Sequence, residues 1–400
     1  MFTTLWTGYS RRRTVVRTIE EINEKLKKGK AVVFTAEEAV RMAAEQGVKK
    51  CAEQIDVVTC ATFGAMCSSG AILNFGHSEP PIRMSQITLN GVEAYGGLAA
   101  VDTFIGATQA GKTTGIEYGG AHVIEDLIAG KEIELHALSS GTDCYTRTEV
   151  HTKITLADLN QAYLFNPRNA YQNYSAATNS TNRTKRTYMG TLLPNMGNVT
   201  YSTSGELSPL LKDPKLRTIG IGTRVFLCGG EGYVVFEGTQ AVNKAEQLPN
   251  GEMLYSGYTL ALVGDMKGMK SEYIKAATFD GYGCTLYVGI GVPIPVIDED
   301  MMADLAVPND RLYTYIYDYG ISTRNKKALK LVTYAQLRSG EVELGGRKVR
   351  TAPLSSLYKA RKIAQELKSK LLDGSFVMTA PAAKLPYRDT FKGLDADRRL

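Results

Sequence analysis

An α/β fold with a mixed sheet is the class this sequence predicts, and three observations carry it. Over the first sixty residues, capped helical segments alternate with short apolar strands, the order that builds βαβ units. The middle of the chain is strand-rich and cut by glycine, 39 residues in 400 against a usual share of about 7%. Near the C-terminal end stands one long amphipathic helix.

The first helix is expected from Thr18, which caps it in a box with Glu21, from Ile19, Ile22 and Leu26 on one face, and from Gly29 as its stop. Ala31 to Phe34 reads as a short strand. Thr35 with Glu38 repeats the capping box, Gly47 repeats the stop, and Ile55 to Cys60 is the next strand. Strand, helix, strand predicts a parallel pair joined by a crossover. From Gln86 to Val150, short strands alternate with Gly-rich turns, and His122 to Leu127 forms a turn or two of helix. Residues 160–204 are rich in Asn, Tyr, Thr and Ser and are expected as a long surface excursion or a polar substrate-binding surface, since a long structureless loop is uncommon unless functional. Strands return at Thr218 to Phe226, Gly232 to Phe236, Thr259 to Val263 and Cys284 to Ile290. The last helix has Ser355 or Ser356 as its cap, Leu357, Ala360, Ile363, Ala364, Leu367 and Leu371 as its apolar face, and Gly374 as its end.

Four hundred residues exceed what one core usually absorbs. The expectation is a main unit over 1–386, divisible into subdomains of about 1–155 and 156–386, with a tail at 387–400. The net charge of +6 comes from 47 basic and 41 acidic residues interleaved along the chain, which argues against a nucleic-acid footprint. No apolar run approaches the ~20 residues of a membrane span. The apolar stretch of residues 1–10 precedes Arg11, Arg12 and Arg13, the reverse of a signal peptide's order, so a cytoplasmic location is expected. Six cysteines without regular spacing fit reduced thiols, and Asn179-Ser180-Thr181 then has no glycosylation meaning.

Cys67 and Cys144 are the candidate reactive residues. Cys67 lies in Phe63-Gly64-Ala65-Met66-Cys67-Ser68-Ser69-Gly70 and Cys144 in Gly141-Thr142-Asp143-Cys144-Tyr145, both among small or polar turn formers. A thiol with an ordinary pKa of ~8.5 needs amides, a helix N-terminus or a cation to become a thiolate. The Ser68-Ser69-Gly70 amides are expected to serve Cys67, and Arg147 to serve Cys144. Cys51, Cys60, Cys228 and Cys284 sit in apolar helix and strand patterns and read as packing residues. His77 and His122 are candidate general acids or bases near neutral pH. None of the four histidines pairs with a cysteine at ligand spacing and no Cys-x-x-Cys occurs, so neither a metal nor an iron–sulfur cluster is expected on this chain. Gly106-Ala107-Thr108-Gln109-Ala110-Gly111-Lys112-Thr113 matches a P-loop formally, but Gly115, Gly119 and Gly120 make a poor helix start after it. A nucleotide-dependent enzyme using Lys112 and Thr113 is the alternative reading, and a non-catalytic amino-acid-binding protein is a third.

Around these residues the chain resembles the homocysteine biosynthesis (sulfur-incorporation) family. The similar segments include Phe63 to His77, Glu117 to Asp126, Gly141 to Tyr145, Asp158 to Tyr174, Gly190 to Pro194, Thr218 to Thr223, Gly281 to Pro295 and Ala352 to Ser356. The resemblance implies sulfur incorporation into L-aspartate semialdehyde to give L-homocysteine, with the persulfide-forming role on Cys144 and a small ferredoxin-like iron–sulfur protein as electron donor. Converting an aldehyde to a thiol consumes one sulfide and two electrons and releases water. With no Gly-x-Gly-x-x-Gly turn after a strand, no cofactor is expected on the chain and the two electrons must come from outside. In this reading Cys67 relieves the persulfide-linked adduct and forms a disulfide with Cys144, provided the sulfurs reach bonding geometry. His122 or His77 would serve the oxyanion. The substrate's carboxylate calls for a bidentate arginine: Arg168 first, then Arg224, with Asn169 and Asn173 beside it. A homo-oligomer is expected.

Overall fold

The computed structural model describes residues 16–169, 174–239, 241–255, 257–390 and 392–397. Both capping boxes form. Thr18 Oγ1 accepts from Glu21 N at 3.1 Å while the Glu21 carboxylate accepts from Thr18 N at 2.8 Å, opening the helix Ile19–Lys27. Thr35 and Glu38 do the same for Ala36–Gln46, and Gly47 ends that helix at φ +82°. The helices Ala36–Gln46 and Val48–Gln54 make the crossover between the strands Val33–Thr35 and Val57–Ala65, which pair in parallel as expected.

Every other pair of described strands in the main sheet is antiparallel. Among the described residues sixteen strands join it. From one edge the order is Val33–Thr35, Val57–Ala65, Gly283–Pro295, Arg224–Leu227, Gly230–Glu237, Leu260–Asp265 and Gln161–Asn169. It continues through Gly70–Asn74, Asp102–Gly106, Val92–Tyr95, Gln86–Leu89 and Ile133–Leu138 to Glu149–Ile154 at the other edge. Ile274–Phe279 and two short strands, Ala110–Gly111 and Gly115–Gly119, branch from this path. A six-stranded mixed sheet stands beside it: Ala328–Thr333, Tyr313–Asp318, Ala176–Thr178, Asn198–Tyr201, Arg347–Pro353 and Glu341–Leu344. The main core draws on residues from Ile22 to Leu385, and a smaller one, from Ala176 to Val349, fills the second sheet. The main sheet therefore takes strands from both sides of the expected 155/156 boundary.

The helix Leu357–Leu372 is capped by Ser356, whose Oγ accepts from Lys359 N at 3.2 Å, and buries Ala360, Ile363, Ala364, Leu367 and Leu371. It lies on Val57–Ala65 and Gly283–Pro295 at close range. A Cβ added at Gly289 would stand 2.8 Å from Ile363 Cδ1, and one at Gly291 would stand 3.1 Å from the Ile363 and Leu367 methyls. The helix can approach only because those positions carry no side chain.

Residues 160–204 depart from the expected surface excursion. Gln161–Asn169 is an interior strand of the main sheet, and Ala176–Thr178 and Asn198–Tyr201 lie inside the second sheet. Polar composition misleads here because most of the buried polar groups find partners within the fold. Asn179 Nδ2, for example, donates to the carbonyls of Arg183 (2.7 Å), Leu192 and Leu193 (3.2 Å each).

A half-buried thiol between the two sheets

Cys67 follows the strand Val57–Ala65 in a tight turn closed by Ser69 N donating to Met66 O at 3.0 Å and Ser69 Oγ donating to the same carbonyl at 2.7 Å. The Ser69 amide expected to serve the thiol is thus spent within the turn. The thiol finds other partners. Thr285 Oγ1 donates to Cys67 Sγ at 3.2 Å, and the Arg168 charge is near enough to favour the thiolate. Burial pushes the thiol above its ordinary pKa, and the Thr285 hydroxyl, the residue's own amide and Arg168 pull the other way.

Asn166 organises this corner. It is buried, its Nδ2 donates to Ser69 Oγ at 2.6 Å, and its Oδ1 accepts from Arg168 N at 2.8 Å and from Ser68 Oγ at 3.4 Å. Arg168 is aimed in turn by Thr239, whose Oγ1 accepts from two of its guanidinium nitrogens at 3.2 Å each. Tyrosines stand around the thiol. Tyr282 and Tyr287 have phenol pKa values raised first by burial and then by the neighbouring Cys67 charge, so both stay protonated and able to donate. Tyr188 packs on Tyr282 at 6.2 Å between ring centres and on Tyr319 at 5.8 Å, and the Tyr188 and Tyr319 hydroxyls meet at 3.1 Å. Tyr319 follows the strand Tyr313–Asp318 of the second sheet, so the tyrosine cluster reaches from the main sheet to the second.

The other expected residues are placed differently. His122 is not at the thiol. Its Nδ1 accepts from Gly119 N at 3.1 Å, capping its own helix Gly120–Ile128, and burial lowers its pKa. Cys284 Sγ donates to Ile116 O on the side of that helix, while the next residue, Thr285, meets Cys67. Adjacent strand residues point to opposite faces, so His122 and Cys67 lie across the sheet from each other. His77 is exposed and stacks on Tyr145, ring centres 6.0 Å apart. Arg224 is spent on the C-terminal segment: it pairs with Glu231, donates to Val377 O at 3.2 Å and covers the Phe376 ring at 4.7 Å. Asn169 ends its strand and pairs with Leu260, and Asn173 lies outside the described residues. At the P-loop match, Lys112 N donates to Gly91 O, Gly111 pairs with Val92, and the next helix begins only at Gly120, so no helix N-terminus faces the phosphate position. The four packing cysteines are all buried. Among the described residues no group of three or more His, Cys, Asp or Glu stands close enough to hold a metal ion. No described helix is long and apolar enough to cross a membrane.

Cys144 is exposed in a loop held by Thr142 N to Tyr145 O at 2.9 Å and Tyr145 N to Thr142 O at 3.1 Å. Arg147 does not face it, because its guanidinium donates to the carbonyls of Pro80 (3.0 Å) and Glu79 (2.6 Å). The two thiols stand far apart. Cys67 lies before the Gly70 end of the strand Gly70–Asn74, whereas the Cys144 loop, with His77 on Tyr145, lies beyond the Asn74 end. At about 3.3 Å per strand residue, the strand between them and its flanking turns put the separation on the order of 20 Å, and no disulfide joins them.

The sequence comparisons place this α/β chain among sulfur-incorporation enzymes. Residues 31–378 match the family described as homocysteine biosynthesis enzyme, sulfur-incorporation, and the chain belongs to that family. Among its relatives, the L-aspartate semialdehyde sulfurtransferase of Methanosarcina acetivorans is 52% identical over 380 residues, covering 95% of this chain and 74% of that one. The protein of the same name from Methanocaldococcus jannaschii is 50% identical over 380 residues, covering 91% and 72%. No solved structure matches the chain.

Proposed function

We propose that this enzyme incorporates sulfide into L-aspartate semialdehyde, with two-electron reduction, to give L-homocysteine. The observation that carries the reading is the Cys67 site: a half-buried thiol with a hydroxyl donor, a nearby guanidinium and protonated phenols, in a chain half identical to two sulfurtransferases of that name. Cys144, exposed, carries the sulfur as a persulfide. Its terminal sulfur adds to the aldehyde carbon, and Tyr282 or Tyr287 donates to the developing oxyanion, the part first given to His122 and His77. Cys67 thiolate then attacks the Cys144 sulfur. This leaves a Cys67–Cys144 disulfide and frees the hydroxythiol. Loss of water gives the thioaldehyde, which two electrons and two protons from an external donor reduce to the thiol. The next hydrosulfide opens the disulfide, restoring the Cys144 persulfide and the Cys67 thiolate, so the cycle closes in atoms and charge. A ferredoxin-like iron–sulfur protein suits the electron supply, and no cofactor of the chain's own is invoked.

Since the thiols of one chain stand on the order of 20 Å apart, the Cys144 of one copy serves the Cys67 of another, which makes the working form a homo-oligomer. The test is an assay of homocysteine formation from L-aspartate semialdehyde, sulfide and a low-potential reductant. Cys144→Ser and Cys67→Ser should each be inactive alone, and their mixture should recover up to about a quarter of wild-type activity through mixed oligomers. No recovery in demonstrably mixed oligomers refutes delivery between copies, and full activity in Cys144→Ser refutes the carrier assignment.

A further inference from the structure

Beside Arg168, whose charge acts on Cys67, is a cavity of about 640 Å³ lined by Phe236, Glu237, Thr239, Tyr387, Arg388 and Lys392, among others. We propose that it is the subsite for the charged end of an α-amino acid, with Glu237 taking the ammonium and Arg388 the carboxylate. The inference rests on the function proposed above and names where that substrate is held.

Three observations carry it. The cavity is joined to the thiol, because Thr239 in its wall accepts both hydrogen bonds from Arg168, whose charge acts on Cys67. Strand register agrees. Asn166 pairs with Leu262, Glu237 pairs with Leu260, and residues two apart on a strand share a face, so Glu237 is on the face where Asn166 holds the Cys67 turn. The two charges are also unequally satisfied. Glu237 has one oxygen on Arg388 Nε at 2.5 Å, while its other oxygen is buried and has no hydrogen-bond partner among the described residues. A buried carboxylate oxygen in that state lacks a donor, and an ammonium supplies one. Arg388 is fixed in place by its backbone, with N donating to Asn243 Oδ1 and O accepting from Asn243 N, both at 2.8 Å. Its terminal guanidinium nitrogens hydrogen-bond to none of the described residues, which leaves a planar pair of donors for a carboxylate. A carboxylate and a guanidinium at one cavity wall complement a zwitterion. Arg168, already committed to Thr239 and the thiol, is thereby relieved of the carboxylate role expected of it.

The experiment uses the full chain and L-homoserine, which has the same charged end and no aldehyde. Calorimetry should show homoserine binding to the wild type, weakened at least tenfold in both Glu237→Gln and Arg388→Gln. In turnover, Glu237→Gln should lower the kcat/KM ratio of L-aspartate semialdehyde to succinate semialdehyde at least tenfold, since only the former carries an ammonium. Arg388 is half exposed, so its variant reports even if the Glu237 variant fails to fold. Homoserine binding equal to wild type in either folded variant, or an unchanged substrate ratio, overturns the subsite. Glu237-dependent homoserine binding by a wild type that forms no homocysteine leaves the subsite standing and sinks the proposed reaction.

Discussion

Replacing Thr285 by valine tests whether the Cys67 thiolate is stabilised as the geometry indicates. The side chain is buried, it donates to Cys67 Sγ at 3.2 Å, and valine preserves its shape while removing the hydroxyl. A hydrogen bond to a charged group contributes about 1.5–3 kcal/mol, and one pKa unit is 1.36 kcal/mol. At the weaker end, suited to a long contact with sulfur, the thiol pKa should rise by about one unit. The sign is upward because the lost donor favoured only the ionised form. Burial already holds this thiol above its ordinary pKa, so at neutral pH the thiolate fraction should fall about tenfold. The assay is the rate of iodoacetamide alkylation against pH in a Cys144→Ser background, which removes the exposed competitor. Thr285→Ser should stay near the parent rate. If Thr285→Val alkylates within twofold of the parent throughout the titration, the hydroxyl does not stabilise the thiolate.

Lys112→Ala should leave turnover within about twofold and ATP should neither bind nor stimulate, since no helix opens at the P-loop match; ATP binding lost in this variant would overturn that. His122→Ala should cost roughly 1 kcal/mol of stability, the worth of a helix cap, with kcat within threefold; a hundredfold loss of kcat would return His122 to the catalytic machinery. Lys212 is buried with its ammonium on the carbonyls of Leu305 (2.9 Å) and Val307 (2.6 Å), and burial lowers its pKa from 10.5 to about 8. Between those values the unfolded chain holds a proton that the folded chain has released, so stability rises with pH across that window. Urea unfolding should show the wild type gaining on Lys212→Met between pH 8 and pH 10; a constant difference would mean the lysine is neutral, or charged, in both states.

What the sequence determined by itself was whatever local chemistry controls. Thr18 with Glu21 and Thr35 with Glu38 announce two helices because a cap satisfies amides within the same few residues. The apolar stripe from Ala360 to Leu371 announces the last helix, and the polar turns at Cys67 and Cys144 separate those thiols from four buried ones. Strand periodicity adds one more point: if Cys284 packs to one face, its neighbour Thr285 must face the other way. Tertiary structure alone decided what meets Cys67. Its hydroxyl donor lies 218 residues away in the chain, and the Asn166 and Arg168 beside it belong to a polar segment that becomes an interior strand. Strand order likewise put His122 across the sheet, turned Arg224 towards the C-terminal segment and set the two reactive thiols far apart. Caps and stripes are written within a few residues, whereas strand neighbours are chosen by burial over the whole chain, and it is the neighbours that make the site.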